Sequence, residues 1–395
     1  MPTVGHWFPP RGLSATPCRL RRVTSRAYRS SFGSFLMASM PALSPQRSGR
    51  YTLHDLGDGR AAEPGGGHAG LMQALVFTAP GEVQLRDEPY PVAGDGETLV
   101  TVEASGICGS ELHGFRTLGM RRPPLIMGHE FAGTADGGTR VVVNPLVTCR
   151  TCTACLRGSS QICERRQLMG VHRPGGFAEA VAVPHGALHV LPDSVGWTEA
   201  ALIEPLANAV HAWGLGLRAA GGAGGDGCGN VAIVGAGSIG LVCLLVARHH
   251  GSGEVIVADP SPDRRAVAER LGATVVASLD DVDGLVLDTT FDAVGLPVTR
   301  AAALAHLRPG GTSVWIGLGS PDVAFDGNDL VRSEKRVLGS FAYSADEFRA
   351  AVALSSQVDL GWGTDVPMSA AESTFMELAQ GRTDIIKAVL RREQD

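Results

Sequence analysis

The pattern of apolar and polar positions changes character twice along this chain. From Met72 to about Pro192, short apolar stretches alternate with polar positions and stop at Gly or Pro, the period of strands covered on one face. Residues 74–77, 97–104, 140–143 and 177–183 are the clearest of these strands. Apolar residues then recur at helical spacing over 198–217, and 219–229 is mostly glycine and reads as a flexible linker. From Asn230 onward, continuous β-branched runs alternate with helical stretches. Strands are expected at 231–234, 254–259, 274–277, 290–293, 312–317 and 337–341, with helices over 241–249 and 346–356. Strands without polar alternation, separated by helices, predict an α/β parallel doubly wound sheet covered on both faces. The tail to Asp395 is expected to return to the first, β-rich half.

Composition adds bounds. The chain has 395 residues, enough for two domains, with 44% hydrophobic residues and a formal charge of −6. No apolar run approaches the ~20 residues that cross a bilayer, so no membrane partner is expected. Residues 1–54 hold eight arginines and no Asp or Glu, which leaves −14 for the remainder. Together with the Ala/Gly/Pro run after it, this makes 1–71 read as a disordered extension; a transit peptide is the alternative. Nucleic-acid binding by the tail rests on its charge alone and is not expected. With 32 arginines and only two lysines, Lys335 and Lys387, basic residues say little about partners; Lys387 reads as a solvated position.

The candidate chemistry lies in three places. Cys149, Cys152, Cys155 and Cys163 are spaced C-x2-C-x2-C-x7-C, which suits one tetrahedral zinc ion with no open position. Two disulfides are the alternative, but nothing else here looks secreted; a DNA-reading zinc module would need a basic recognition helix. Upstream, Cys108, Ser110 and His113 fall within six positions, Gly128-His129-Glu130 follows, and Glu204 comes later. Cys108, His129 and one carboxylate could hold a second zinc with a position left open, the catalytic arrangement. Third, 231–234 enters Gly235-Ala236-Gly237-Ser238-Ile239-Gly240, a G-x-G-x-x-G turn that cradles a pyrophosphate at a helix N-terminus. Asp259 ends the next strand, nineteen residues after Gly240. A carboxylate there grips ribose hydroxyls and repels a 2′-phosphate, so NAD is expected; Arg264 and Arg265 nearby leave NADP as the less favoured cofactor.

Residues 72–395 resemble the zinc-dependent alcohol dehydrogenases of the medium-chain dehydrogenase/reductase superfamily, closest to their polyol and sorbitol dehydrogenase branch. The resemblance is carried by GICGSELHGF, GHEFAGT, the four-cysteine segment, GGFAEAVAVP, EPLANAVHAW, VAIVGAGSIGL and LRPGGTSVWIGLG, in that order. It implies a GroES-like catalytic domain over 72–205 with 342–395, containing the zinc lobe 149–163, and a Rossmann NAD-binding domain over 206–341. It implies that Cys108 and His129 bind the catalytic zinc and that Glu130 or Glu204 completes the site, the glutamate at 204 tilting toward polyols. It further implies a proton relay through Ser110 and His113, and a homodimer or homotetramer formed through the nucleotide domain with 312–318 as the sheet edge.

The expected function is therefore zinc-dependent hydride transfer between an alcohol or polyol and NAD, with two zincs per chain, in the cytoplasm. A zinc-free NADPH-dependent quinone or enone reductase and a non-catalytic nucleotide-binding sensor are the alternatives, and both lack a reason to keep the two ligand sets. His172, Arg173, Phe115 and Arg116 are candidates for the substrate pocket.

Overall fold

A computed structural model describes residues 70–220, 228–382 and 385–393. The expectations for residues 1–69 and for most of the glycine linker lie outside these.

The first half is built from strands that pair antiparallel, apart from Thr364–Pro367 beside Ala388–Arg391. Glu82–Pro89, Leu71–Ala79 and Leu125–Ile126 form a three-stranded sheet in that order. A larger sheet runs Leu188–Val190, Thr139–Val143, Glu130–Ala135, Glu97–Gly106, Ala388–Arg391, Thr364–Pro367, with Ala180–Pro184 also paired to Glu97–Gly106. Strand Ala388–Arg391 thus lies antiparallel to Glu97–Gly106, with Val389 opposite Gly106. A segment from far along the sequence is therefore woven beside the strand that leads to Cys108. Alternation works as expected here: Val100 and Val102 pack in one apolar cluster with Phe131, Val141 and Val143.

The second half is a six-stranded parallel sheet in the order Thr274–Val276, Val255–Ala258, Val231–Val234, Leu287–Asp292, Leu307–Trp315, Arg336–Gly339. Successive residues of its central strands feed opposite cores. Val231, Ile233, Val255 and Val257 pack with helices Ile203–Ala219, Ser238–His249 and Ala345–Leu354. Ala232, Val234, Ile256 and Ala258 pack on the other face with Leu287 and Ala303. Both faces are covered, which is why these strands are apolar throughout.

Two expectations need correction. Residues 312–315 are not an edge: Leu307–Trp315 is paired on both sides, and Arg336–Gly339 is the edge strand. The helix expected over 198–217 is two helices, Trp197–Ala201 and Ile203–Ala219, joined at Leu202. The break puts Glu204 and Pro205 in the first turn of the second helix, where a proline costs no helical hydrogen bond.

Candidate metal centre and nucleotide site

Strand Glu97–Gly106 delivers Ile107 and Cys108 to the start of the short helix Gly109–Gly114. Cys108 is the N-cap, and its sulfur accepts from the Ser110 amide (3.5 Å) and Ser110 Oγ (3.3 Å). Three residues on, Glu111 closes the reciprocal cap by accepting from the Cys108 amide (3.0 Å). Glu111 is fully buried and its other oxygen accepts from the Gly128 amide (2.8 Å) and bonds His129 Nδ1 (2.9 Å). One carboxylate therefore fixes both the loop that bears Cys108 and the ring of His129, and leaves the other ring nitrogen for the Cys108 side. Burial alone would raise the Glu111 carboxyl, but His129 and the amide donors hold it below its ordinary value. Burial likewise opposes a charge on His129; Glu111 and Cys108 outweigh it and keep the imidazole's pKa well above the usual. An incoming cation must displace that proton.

Glu130, the next residue, is 1% exposed and its Oε2 pairs with the Lys387 ammonium, which also donates to the Ile107 carbonyl (3.1 Å). Lys387 is 2% exposed. The expectation of a solvated lysine is wrong, because the parallel pair Thr364–Pro367 and Ala388–Arg391 carries residue 387 into the interior. Gly106 makes this possible: a Cβ there would collide with Glu130 Oε2 and come within 2.8 Å of Lys387 Cε. Ligand atoms of Cys108, His129 and Glu130 all lie within 4.8 Å of one another.

Glu204 lies outside that cluster. Its Oε1 accepts from Tyr343 (2.8 Å) and Asn208 (3.2 Å), both neutral. Burial, then the charge of Glu204, pushes the Tyr343 phenol well above its ordinary pKa, so it donates. A buried carboxylate with only neutral donors, beside a thiol, an imidazole and a second carboxylate, is a donor set short of positive charge. A divalent ion fits it. Glu111 escaped the sequence reading, as did the burial of Lys387 and the parts played by Tyr343 and Asn208. The cap spacing Cys108-x-x-Glu111 could have found the first, and the rarity of lysine the second.

The four-cysteine segment has a different build. Among its sulfurs, Cys149 to Cys163 is 3.5 Å, Cys152 to Cys155 3.6 Å and Cys149 to Cys155 3.9 Å. These are free thiols rather than disulfides. Sulfurs bound to one zinc at about 2.3 Å stand about 3.8 Å apart on a tetrahedron's edges, so the spacing fits that ion. Amides of Thr151 and Cys152 help hold the Cys149 thiol down, at about 5, whereas burial and the neighbouring sulfurs push Cys155 up, to about 11.

At the second half, Gly237 is the N-cap of Ser238–His249, and the glycine turn brings Gly240 against the Gly235 carbonyl, where a Cβ would collide. Asp259 is buried and tied to the turn: its oxygens accept from the Ala236 and Ser261 amides, both at 2.8 Å. Arg264 is exposed; it is Arg265 that is anchored here, donating to the Asp259 (2.6 Å) and Pro260 (2.9 Å) carbonyls. Ile239 packs on the main core, and Ser238 Oγ donates to the Ile386 carbonyl (3.3 Å). Since Lys387 follows, two adjacent residues connect the glycine turn to Glu130.

Ser110 and His113 sit on the exposed side of their helix and no hydrogen bond joins them. The four pocket candidates are engaged elsewhere. Arg173 pairs with Glu97, His172 Nδ1 accepts from the Leu168 amide (3.0 Å), Phe115 packs edge-on to Phe375, and Arg116 donates to the Ala379 carbonyl. A cavity of about 320 Å³ lies instead against Asn144, Val147, Arg150, His185 and Tyr343.

Known proteins agree with this geometry. Residues 94–193 match the alcohol dehydrogenase GroES-like domain, and 238–357 match the zinc-binding dehydrogenase domain. L-galactonate-5-dehydrogenase of Escherichia coli K12 is 31% identical over 348 residues, 81% of this chain and 98% of that protein. This chain belongs to the zinc-type polyol dehydrogenase-like family of medium-chain dehydrogenases. Bacillus subtilis sorbitol dehydrogenase, another member, is 31% identical over 69% of this chain and 83% of its own. The crystal structure of E. coli galactitol-1-phosphate dehydrogenase superposes with a TM-score of 0.74 at 26% identity, covering 81% of this chain and all of that one (100%). The medium-chain dehydrogenase fold assigned here is thus a GroES-like β domain with a Rossmann sheet. Neighbours of this fold have been crystallised with NADH and with NADP. Among the described residues, no helix is long and apolar enough to cross a membrane.

Proposed function

We propose that this dehydrogenase moves hydride between a polyol CH–OH and NAD, with Cys108, His129 and a carboxylate holding the catalytic zinc and the four cysteines a second one. The observation that carries this reading is the clustering of half-buried Cys108 with buried His129 and Glu130, joined through Ile386 and Lys387 to the glycine turn. When bound there, zinc supplies a Lewis acid that eases loss of the substrate's hydroxyl proton. The chain's residues do the rest. Glu111 sets the tautomer of His129, and Lys387 balances the charge of Glu130. Amides at the start of Ser238–His249, with Gly235, Gly237 and Gly240, receive the pyrophosphate. Asp259 accepts from the adenosine ribose and disfavours a 2′-phosphate, with Arg264 at the rim. Ser110 takes the proton outward, and exposed His113 passes it to solvent.

The division of labour belongs to the same proposal: 72–205 with 342–395 for the metal site, 206–341 for the nucleotide. Free thiols fit a reducing cytoplasm, and exposed Leu318, Val323 and Val331 fit a homodimer or homotetramer. NADH absorbance over a panel of alcohols, polyols, sugar phosphates and hydroxy amino acids tests the function. Turnover with polyols and NAD that a chelator abolishes, and about two zincs per chain by metal analysis, are expected. A zinc-loaded protein that oxidises nothing in the panel overturns it.

A further inference from the structure

The turn that carries Tyr343 has no part in the reaction described so far. Strand Arg336–Gly339 ends, Phe341 follows, and Ala342 adopts φ 49°, left-handed backbone that a residue with a Cβ adopts only where its surroundings hold it. Tyr343 then turns inward, 1% exposed, its ring 5.4 Å from Phe348 and its hydroxyl on Glu204. Two supports hold this turn. On one side Ser344 caps helix Ala345–Leu354, and Glu347 bonds both Ser344 and His211, the latter on the helix that bears Glu204. On the other, the Arg166 guanidinium lies over Phe341 at 5.1 Å from its ring centre, and Arg166 also donates to the Cys163 carbonyl (3.2 Å). Cys163 is the fourth cysteine of the lobe. A path of contacts therefore runs from the lobe through Arg166, Phe341 and Tyr343 to Glu204.

We propose that Tyr343 is a positioning residue that holds Glu204 back from the Cys108–His129–Glu130 set, and that the cysteine lobe keeps Tyr343 in place through Arg166. Both hydrogen bonds to the Glu204 carboxylate fall on Oε1, and no donor among the described residues reaches Oε2. Held this way, Oε2 is an oriented acceptor for a hydroxyl beside the one being oxidised, which a polyol has and a simple alcohol lacks. The inference rests on the polyol reading above. A site built to accept a hydroxyl discriminates more sharply than an apolar pocket does, because its polar group is left unpaired by the wrong substrate.

Tyr343→Phe keeps the ring against Phe348 and removes only the hydroxyl. In cobalt-substituted protein, the difference spectrum against wild type cancels the four-sulfur site that both share. A fall in visible absorbance, as Glu204 joins the ion and raises its coordination number, is expected; an unchanged spectrum overturns the positioning role. The ratio of kcat/KM for a vicinal diol to that for a primary alcohol should fall about tenfold, the worth of one hydrogen bond to a charged acceptor. Loss of stability alone would leave that ratio unmoved. Arg166→Leu should lower the same ratio about threefold, and the double variant should be no worse than Tyr343→Phe. Additive effects sink the link to the lobe. Arg166→Leu carries the kinetic readout by itself if Tyr343→Phe does not fold. Should the wild type oxidise no alcohol, the functional reading fails, while the cobalt spectrum still decides the place of Tyr343.

Discussion

The two thiol-bearing sites are held together in opposite ways. Around Cys108, the protein completes the arrangement with its own groups: Glu111, Lys387 and three backbone amides fix half-buried Cys108 and, in the core, His129 and Glu130. The lobe over 149–163 has almost no core. Only Gln161 and Cys163 are buried in it, Leu156 and Ile162 are exposed, and its helix Thr153–Leu156 has a single turn. What brings its strands of chain together is four sulfurs around a point. On the proposed reading, one site is organised by folding before an ion binds, and the other would need the ion to be organised.

Removing the ion should separate them most visibly. Cys152→Ser should lose one zinc per chain and the hydrogen-exchange protection of 149–163, while amides near 128–132 stay protected; structural zinc in small peptides is worth about 10–16 kcal/mol. Equal loss at both places would break the comparison. Lys387→Met should destabilise the metal-free protein by about 3–5 kcal/mol, because it strands a buried Glu130 charge. The added change Glu130→Gln should recover most of that in thermal melts. Glu111→Ala should weaken the catalytic metal by about 10–100-fold in chelator competition, with the lobe's zinc unaffected.

The smallest effect concerns a half-buried imidazole. Among the described residues nothing hydrogen-bonds His189 Nε2, its ring lies 4.9 Å from Phe348, and burial, aided by Arg349, drops its pKa to about 4. The unfolded chain takes up a proton near about 6.5 that the folded chain refuses until lower pH. Stability should therefore fall as pH drops from 6.5 to 4, by about 1–2 kcal/mol after allowance for partial exposure. The thermal midpoint of His189→Phe should fall less steeply over that window.

What could be read in the sequence was local. The cysteine spacing, the Gly128-His129-Glu130 triplet and the glycine turn each fit within a few residues, and each appears where its spacing indicates. The groups that complete the sites could not be seen, because their partners are far away: Tyr343 meets Glu204 across 139 positions and Lys387 meets Glu130 across 257. Alternation likewise announced strands but not their neighbours. Leu307–Trp315 has the same sequence pattern whether it lies at an edge or, as here, inside the sheet. The break at Leu202 did have a local cue, Pro205, which cannot donate to the Ala201 carbonyl and so marks the start of a new helix.

The long span between Lys387 and Glu130 has a consequence for synthesis. As the chain leaves the ribosome, Glu130 emerges well before its counter-charge, with the whole parallel sheet made in between. Closing so large a loop is slow compared with forming a local helix. The nucleotide half can thus be complete while the metal half still waits for its last strand.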